Sequence, residues 1–195
     1  MLEFGTASSG GSENSSNVIV QAVTIADFDI TYGEKREWQK YSDDIGIDLT
    51  LDVGQSFQPT MYIGGSFKLD EMDNSIVGWG RAYKVKMLFD AMGLPIKLAK
   101  GSAVSENRLP DNAKEMIVGK QFLRLSYVST KLKADGTNRW KDWQDTAKLG
   151  DEEHLKSQFA KSVKEGYIKD FKNPGDDTPW DEEKPFDDVA SNIPL

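Results

Sequence analysis

Hydrophobic and polar positions change period several times along this chain. From Val18 to Tyr32, VIVQAVTIADFDITY is rich in β-branched and aromatic residues and reads as a strand. In IGIDLTLDV, Ile45, Ile47, Leu49, Leu51 and Val53 alternate with Gly46, Asp48, Thr50 and Asp52, the period-two pattern of a half-buried strand. MYIGGSFKL follows, with Met61, Ile63 and Phe67 on one face; its paired glycines, Gly64 and Gly65, would allow a sharp bend or bulge. DEMDNS reads as a turn. The period then lengthens. RAYKVKMLFDAMGLP sets Ala82, Val85, Leu88, Phe89 and Met92 on one helical stripe, with Gly93 as the stop and Pro95 blocking continuation. After a polar loop at 97–115, MIVGKQFLRLSYVSTK predicts a strand. Leu123, Leu125 and Tyr127 share one face; Phe122, Arg124 and Ser126 share the other. KADG is a hairpin turn and NRWKDWQDTAKL the returning strand. Residues 151–171 predict a helix with Leu155, Phe159, Val163 and Tyr167 spaced four apart.

The order is three strands, a helix, two strands and a second helix. It predicts a mainly β protein: an OB-like Greek-key barrel with a helix between strands 3 and 4 and an added C-terminal helix. A β-sandwich with a decorating helix is the rival. The domain is expected over 18–172. A flexible Gly/Ser-rich leader, without the basic and apolar regions of a signal peptide, occupies 1–17. A Pro-, Gly- and Asp-rich tail over 173–195 is expected to stay disordered, having too little apolar surface to offset its ordering entropy.

Composition narrows the function classes. The 195 residues include no cysteine, which excludes disulfides, thiolate metal sites and cysteine nucleophiles, and one histidine, His154. His154 lies in EEHLK on the second helix and reads as part of a solvated face. No apolar run approaches the roughly 20 residues of a membrane span, so a cytoplasm (a host's, if the protein is viral) is the expected compartment. The formal net charge of −8 is unevenly placed. Segment 17–80 carries −7 and segment 81–148 carries +7, while 149–173 balances. The tail 174–195 holds seven acids against Lys184, for −6.

Phosphate-loop, dinucleotide, HExxH and nucleophile-elbow motifs are all missing. Acids that a two-metal nuclease would need are present at Asp43, Asp44, Asp48, Asp52, Asp70, Glu71 and Asp73. Asp48 and Asp52 fall on the polar face of an alternating strand, however, and 70–73 in a turn. The stronger pattern is aromatic residues among bases. KREWQKY places Trp38 and Tyr41 among Lys35, Arg36 and Lys40; GWGRAYK places Trp79 and Tyr83 among Arg81 and Lys84. Arg124 and Tyr127 precede Lys131 and Lys133, and NRWKDW joins Arg139 and Lys141 to Trp140 and Trp143. Cations neutralise phosphates and flat rings stack on bases, a mixture suited to single-stranded nucleic acid. Core readings compete. Tyr127 shares parity with two leucines, Trp140 and Trp143 have opposite parity so that one of them packs inward, and Phe122 shares a face with Arg124.

The helix ending LFDAMGLP, a polar loop, then IVGKQFLRLSYV and a hairpin resembles phage-type OB-fold single-stranded DNA-binding proteins. Gly93, Leu94, Gly119, Lys120 and Phe122 carry the match over about residues 82–147. The resemblance implies a non-enzymatic protein, without cofactor or metal, that binds single-stranded DNA with little sequence preference in replication or recombination. Its contacts would come from Lys35, Arg36, Trp38, Lys40, Tyr41, Trp79, Arg81, Lys84, Phe122, Arg124, Lys131, Lys133, Arg139, Trp140, Lys141 and Trp143. The tail implies binding of replication or recombination proteins through Trp180, Phe186, Asp187, Asp188, Ile193, Pro194 and Leu195. It departs from the bacterial pattern: Val-Ala-Ser-Asn separates the acids from the closing residues, and Leu stands in place of Phe. A virion or carbohydrate-binding β-protein and a metal-dependent nuclease are the alternatives. Oligomeric state has no signature in the sequence.

Overall fold

The computed structural model describes residues 5–6 and 17–172. Eight strands and three α-helices follow in the order β1 (Gly5–Thr6), β2 (Val18–Thr31), β3 (Ile45–Asp52), β4 (Thr60–Gly65), β5 (Lys68–Leu69), β6 (Ile76–Gly78), α1 (Tyr83–Ala91), α2 (Ala113–Ile117), β7 (Gln121–Leu132), β8 (Asn138–Asp142) and α3 (Glu152–Lys164). The main sheet runs β4-β3-β2-β7-β8, every neighbour antiparallel, while β1 pairs in parallel with β2. The protein is mainly β, a nearly closed five-stranded antiparallel barrel of OB-like form. Among the described residues, no helix is long and apolar enough to cross a membrane.

Closure depends on β2. Its first half, Val18–Thr24, pairs with β7; its second half, Thr24–Thr31, pairs with β3. A register shift between Ile25 and Asp27 inserts an extra residue, which bends and twists the strand enough to serve two neighbours in different directions. The seam of the barrel lies between β4 and β8, which share no ladder. Gln144 bridges it, donating from Nε2 to the Tyr62 carbonyl at 3.3 Å and accepting from Lys84 Nζ at 2.9 Å.

The predicted parity of β7 has a meaning beyond one core. Phe122 points into the barrel among Val23, Ile25, Ile47, Leu49, Leu88 and Ile117. Leu123, Leu125 and Tyr127 point outward into a second core with Val18, Val20, Trp143, Leu155, Phe159 and Phe171. β7 is therefore covered on both faces, by the barrel interior and by α3. Phe159 sits in the middle of the outer core, with ring centroids of Tyr127, Trp143 and Phe171 at 5.3, 5.5 and 5.4 Å.

Several features differ from those the sequence predicts, among them the returning strand, which ends at Asp142. The helix of 151–171 stops at Lys164 because Gly166, at φ 77°, closes it: Gly166 N donates to the Val163 carbonyl and Tyr167 N to that of Ser162. Tyr167 consequently leaves the apolar stripe and is 79% exposed. Met116 and Ile117 end the short helix α2, and β7 starts at Gln121. Gly64 and Gly65 are regular β4 positions, opposite Gly46 and Ile45, with no bulge. A side chain at Gly64 would strike the Tyr62 ring, and one at Gly65 the backbone of Arg81 and Ala82. Here glycine provides close approach, not a bend.

After α3 the chain is tied back to the barrel. Phe171 bridges to Ser129, and the Asp170 carboxylate accepts from Ser129 Oγ at 2.9 Å, Tyr127 OH at 3.2 Å and Lys141 Nζ. Burial pushes the Asp170 carboxyl up, but the three donors outweigh burial and hold it below the usual carboxylate value. Burial and Asp170 together push the Tyr127 hydroxyl up to about 12. A depressed carboxyl contributes stability above its unfolded value, about 3.9, and loses it as pH falls through the lower folded value. Asp170→Asn is therefore expected to lower the melting temperature at pH 7 and to flatten its fall below about pH 4; thermal melts of both proteins across that range check this.

Candidate nucleic-acid interface

The loop from β2 to β3, residues 32–44, is held at both ends and in its middle. Gly33 N donates to Asp44 O at 3.3 Å and Asp43 N to Glu34 O at 3.1 Å, closing its base. Asp43 is buried, and its carboxylate accepts from Tyr62 OH at 2.7 Å and from Gln39 Nε2. Phe67 N donates to Asp44 Oδ2 at 2.8 Å. The Arg36 guanidinium pairs with Asp48 on β3 and lies 4.8 Å from the centroid of the Tyr62 ring. Arg36 is raised above its usual value chiefly by that bond to Asp48; Tyr62 is pushed up to about 12 by burial and then by Asp43. Asp43, Asp44 and Asp48 thus anchor the loop. Among the described residues, no group of three or more acidic or histidine side chains converges to hold a metal ion.

The anchored loop presents rings. Trp38 is 67% exposed and meets Tyr62 edge-on at 5.3 Å; Tyr41 is 61% exposed, with Lys40 Nζ 5.2 Å from its centroid. Gly46 and Gly64 leave the strand surface bare, so the Tyr62 ring lies against it as a flat floor. Facing the loop are Arg81, Tyr83 and Lys84, at and just before the start of α1, which the close packing at Gly65 brings near β4. Together these residues enclose a cavity of about 380 Å³.

The sequence-predicted contact residues separate into three groups. Trp38, Lys40, Tyr41, Arg81 and Lys84 line this cavity, and Lys35 is exposed on the same loop without lining it. Lys131, Lys133, Arg139 and Trp140 are exposed on the β7–β8 hairpin, which lies beyond the opposite end of β2 from the loop and contributes nothing to the cavity. The rest hold the fold. Phe122 and Trp143 are buried in the two cores, so neither ring can stack on a base. Trp79 is half-buried, 5.8 Å from Phe67. Arg36, Arg124 and Lys141 are paired with Asp48, Asp142 and Asp170. These corrections share one cause: each of these side chains meets a partner distant in sequence, which its own segment does not reveal. The tail residues Trp180, Phe186, Asp187, Asp188, Ile193, Pro194 and Leu195 lie outside the described residues.

Sequence reasoning missed Tyr62 and Gln144, and passed over Tyr83 as a contact. Tyr62 had a signal, a large aromatic on the polar face of a strand flanked by glycine. Gln144 had none, because its role depends on where the seam falls. Comparison with family models, curated proteins and solved structures finds no match to this chain.

Proposed function

We propose that this protein binds single-stranded DNA with little sequence preference, in replication or recombination, on the face formed by the β2–β3 loop and the start of α1. The carrying observation is the anchored loop itself. It exposes Trp38 and Tyr41 together with Lys35 and Lys40, opposite Arg81, and none of these three cations is paired with a carboxylate among the described residues. Rings fixed before binding lose little entropy when a base stacks on them. The choice of DNA rests on the sequence resemblance; the cations and rings suit either nucleic acid.

Titration of the full chain with oligo-dT is expected to quench tryptophan emission. Binding should weaken with salt at a log–log slope of about −2, since each neutralised phosphate contributes about −0.7 and three cations are free. No quench and no retarded band at low salt overturns the reading, and stronger binding of poly-rU redirects it to RNA. The acidic segment 174–195 carries −6 and would compete with DNA for the same cations or recruit partner proteins. Its removal is expected to tighten binding at low salt only.

A further inference from the structure

The cavity beside the loop continues past the barrel seam. Tyr83, Lys84 and Gln144 line it and also line a second cavity, of about 760 Å³, on the α3 side. The two cavities adjoin at these residues, with the Gln144 bridge between them. The far wall is a polar stripe of α3 and its C-cap: His154, Gln158, Lys161 and the capping Glu165, at i, i+4, i+7 and i+11, all exposed. The buried stripe of the same helix, Leu155 and Phe159, belongs to the outer core. At the end of this wall the Gly166 turn sets Tyr167, the most exposed aromatic ring among the described residues.

The charges suit a base or sugar better than a phosphate. Asp142 is bonded by Arg124 and Ser126, Asp145 faces Lys84 at 4.0 Å, and Glu165 faces Lys161 at 3.8 Å. With each acid opposite a base, this second cavity is close to neutral. It neither gathers phosphates nor repels a strand that phosphate contacts at the loop have already captured. What it offers instead are amides, Gln144 and Gln158, and two phenol rings, Tyr83 and Tyr167, which can hydrogen-bond and stack with nucleobases.

We propose that α3 is a second nucleotide-binding site. A strand held at the β2–β3 loop crosses the seam at Gln144 and lays its next bases along Gln158, Lys161 and Tyr167. The inference rests on the loop being a single-strand site, and strand length separates the two claims. A labelled oligo-dT of about 5 nucleotides fills the loop face, whereas one of about 15 reaches α3, both within the range of site sizes for such folds. Tyr167→Ala and Lys161→Glu, at exposed positions that leave both cores intact, are expected to weaken the longer strand about five- to tenfold and leave the shorter one unchanged. Because the chain lacks cysteine, Gln158→Cys supplies a single thiol. Its alkylation should slow with the longer strand and not with the shorter. Wild-type affinity of both variants for the longer strand, with an unprotected thiol, overturns the α3 site and leaves the loop reading standing. Equal weakening of both lengths overturns it too, by placing Tyr167 in the first site. If the unaltered protein binds neither length, the loop reading fails and the α3 site with it.

Discussion

Replacing Trp38 and Tyr41 together by alanine is expected to weaken binding of oligo-dT by at least about 30-fold, because each stacked ring is worth about 1–3 kcal/mol. The effect should be one of affinity alone. The loop is anchored by Asp43, Gln39, Arg36 and its closing backbone bonds, none of which either substitution touches. The lost edge contact between Trp38 and Tyr62 is solvent-exposed on the tryptophan side, so the melting temperature should move little. Anisotropy titrations at low salt, with a thermal melt of the same samples, test both halves. An unchanged affinity in a folded variant would remove the loop from the interface. By contrast, Trp140→Ala, on the far hairpin, is expected to leave the affinity for a short strand intact.

Phe159→Ala carries the largest expected loss of stability, about 3–5 kcal/mol, the usual cost of deleting a buried aromatic ring. Three aromatic rings surround Phe159 and would be left facing a void. Against a typical domain stability of about 5–15 kcal/mol, that loss is a large fraction of the whole. The damage should be local first. The outer core holds α3 and Phe171 to β7, while the barrel interior is built from a separate set of residues. Urea unfolding followed by far-UV circular dichroism should show a lowered midpoint. A midpoint equal to wild type would mean that α3 contributes nothing to stability.

How much of this was legible in the sequence depends on whether a signal was local. The alternation of β3 and the stripe of α1 are local and appear where the pattern puts them. Gly93 ends α1 and Gly166 ends α3 by the same pair of backbone bonds, yet only the first glycine is followed by a proline that makes the stop plain. In β7 the parity was readable but its meaning was not. A strand buried on one side shows apolar against polar; one buried on both shows Phe122, Arg124 and Ser126 opposite three apolar residues, and the ion pair of Arg124 with Asp142 passes for a wet face. The candidate site divided in the same way. Rings in a loop between strands were found from composition, whereas Tyr62, Tyr83 and Gln144 needed the seam to be placed before their proximity could be seen.

The long strand β2 also dictates an order of events during synthesis. Its second half can zip onto β3, and β3 onto β4, as soon as those emerge, since all three are neighbours in sequence. The edge of its first half that takes β7 cannot. Val18 pairs with Tyr127 and Val23 with Phe122, so the apolar run VIVQAV must wait for a partner made far later. Closing so long a loop slows folding, and an unpaired apolar edge is what joins incomplete chains to one another. The nascent chain is therefore most prone to aggregate between the completion of β4 and the emergence of β7, and a chaperone acting on it would find its target at the N-terminal end of β2.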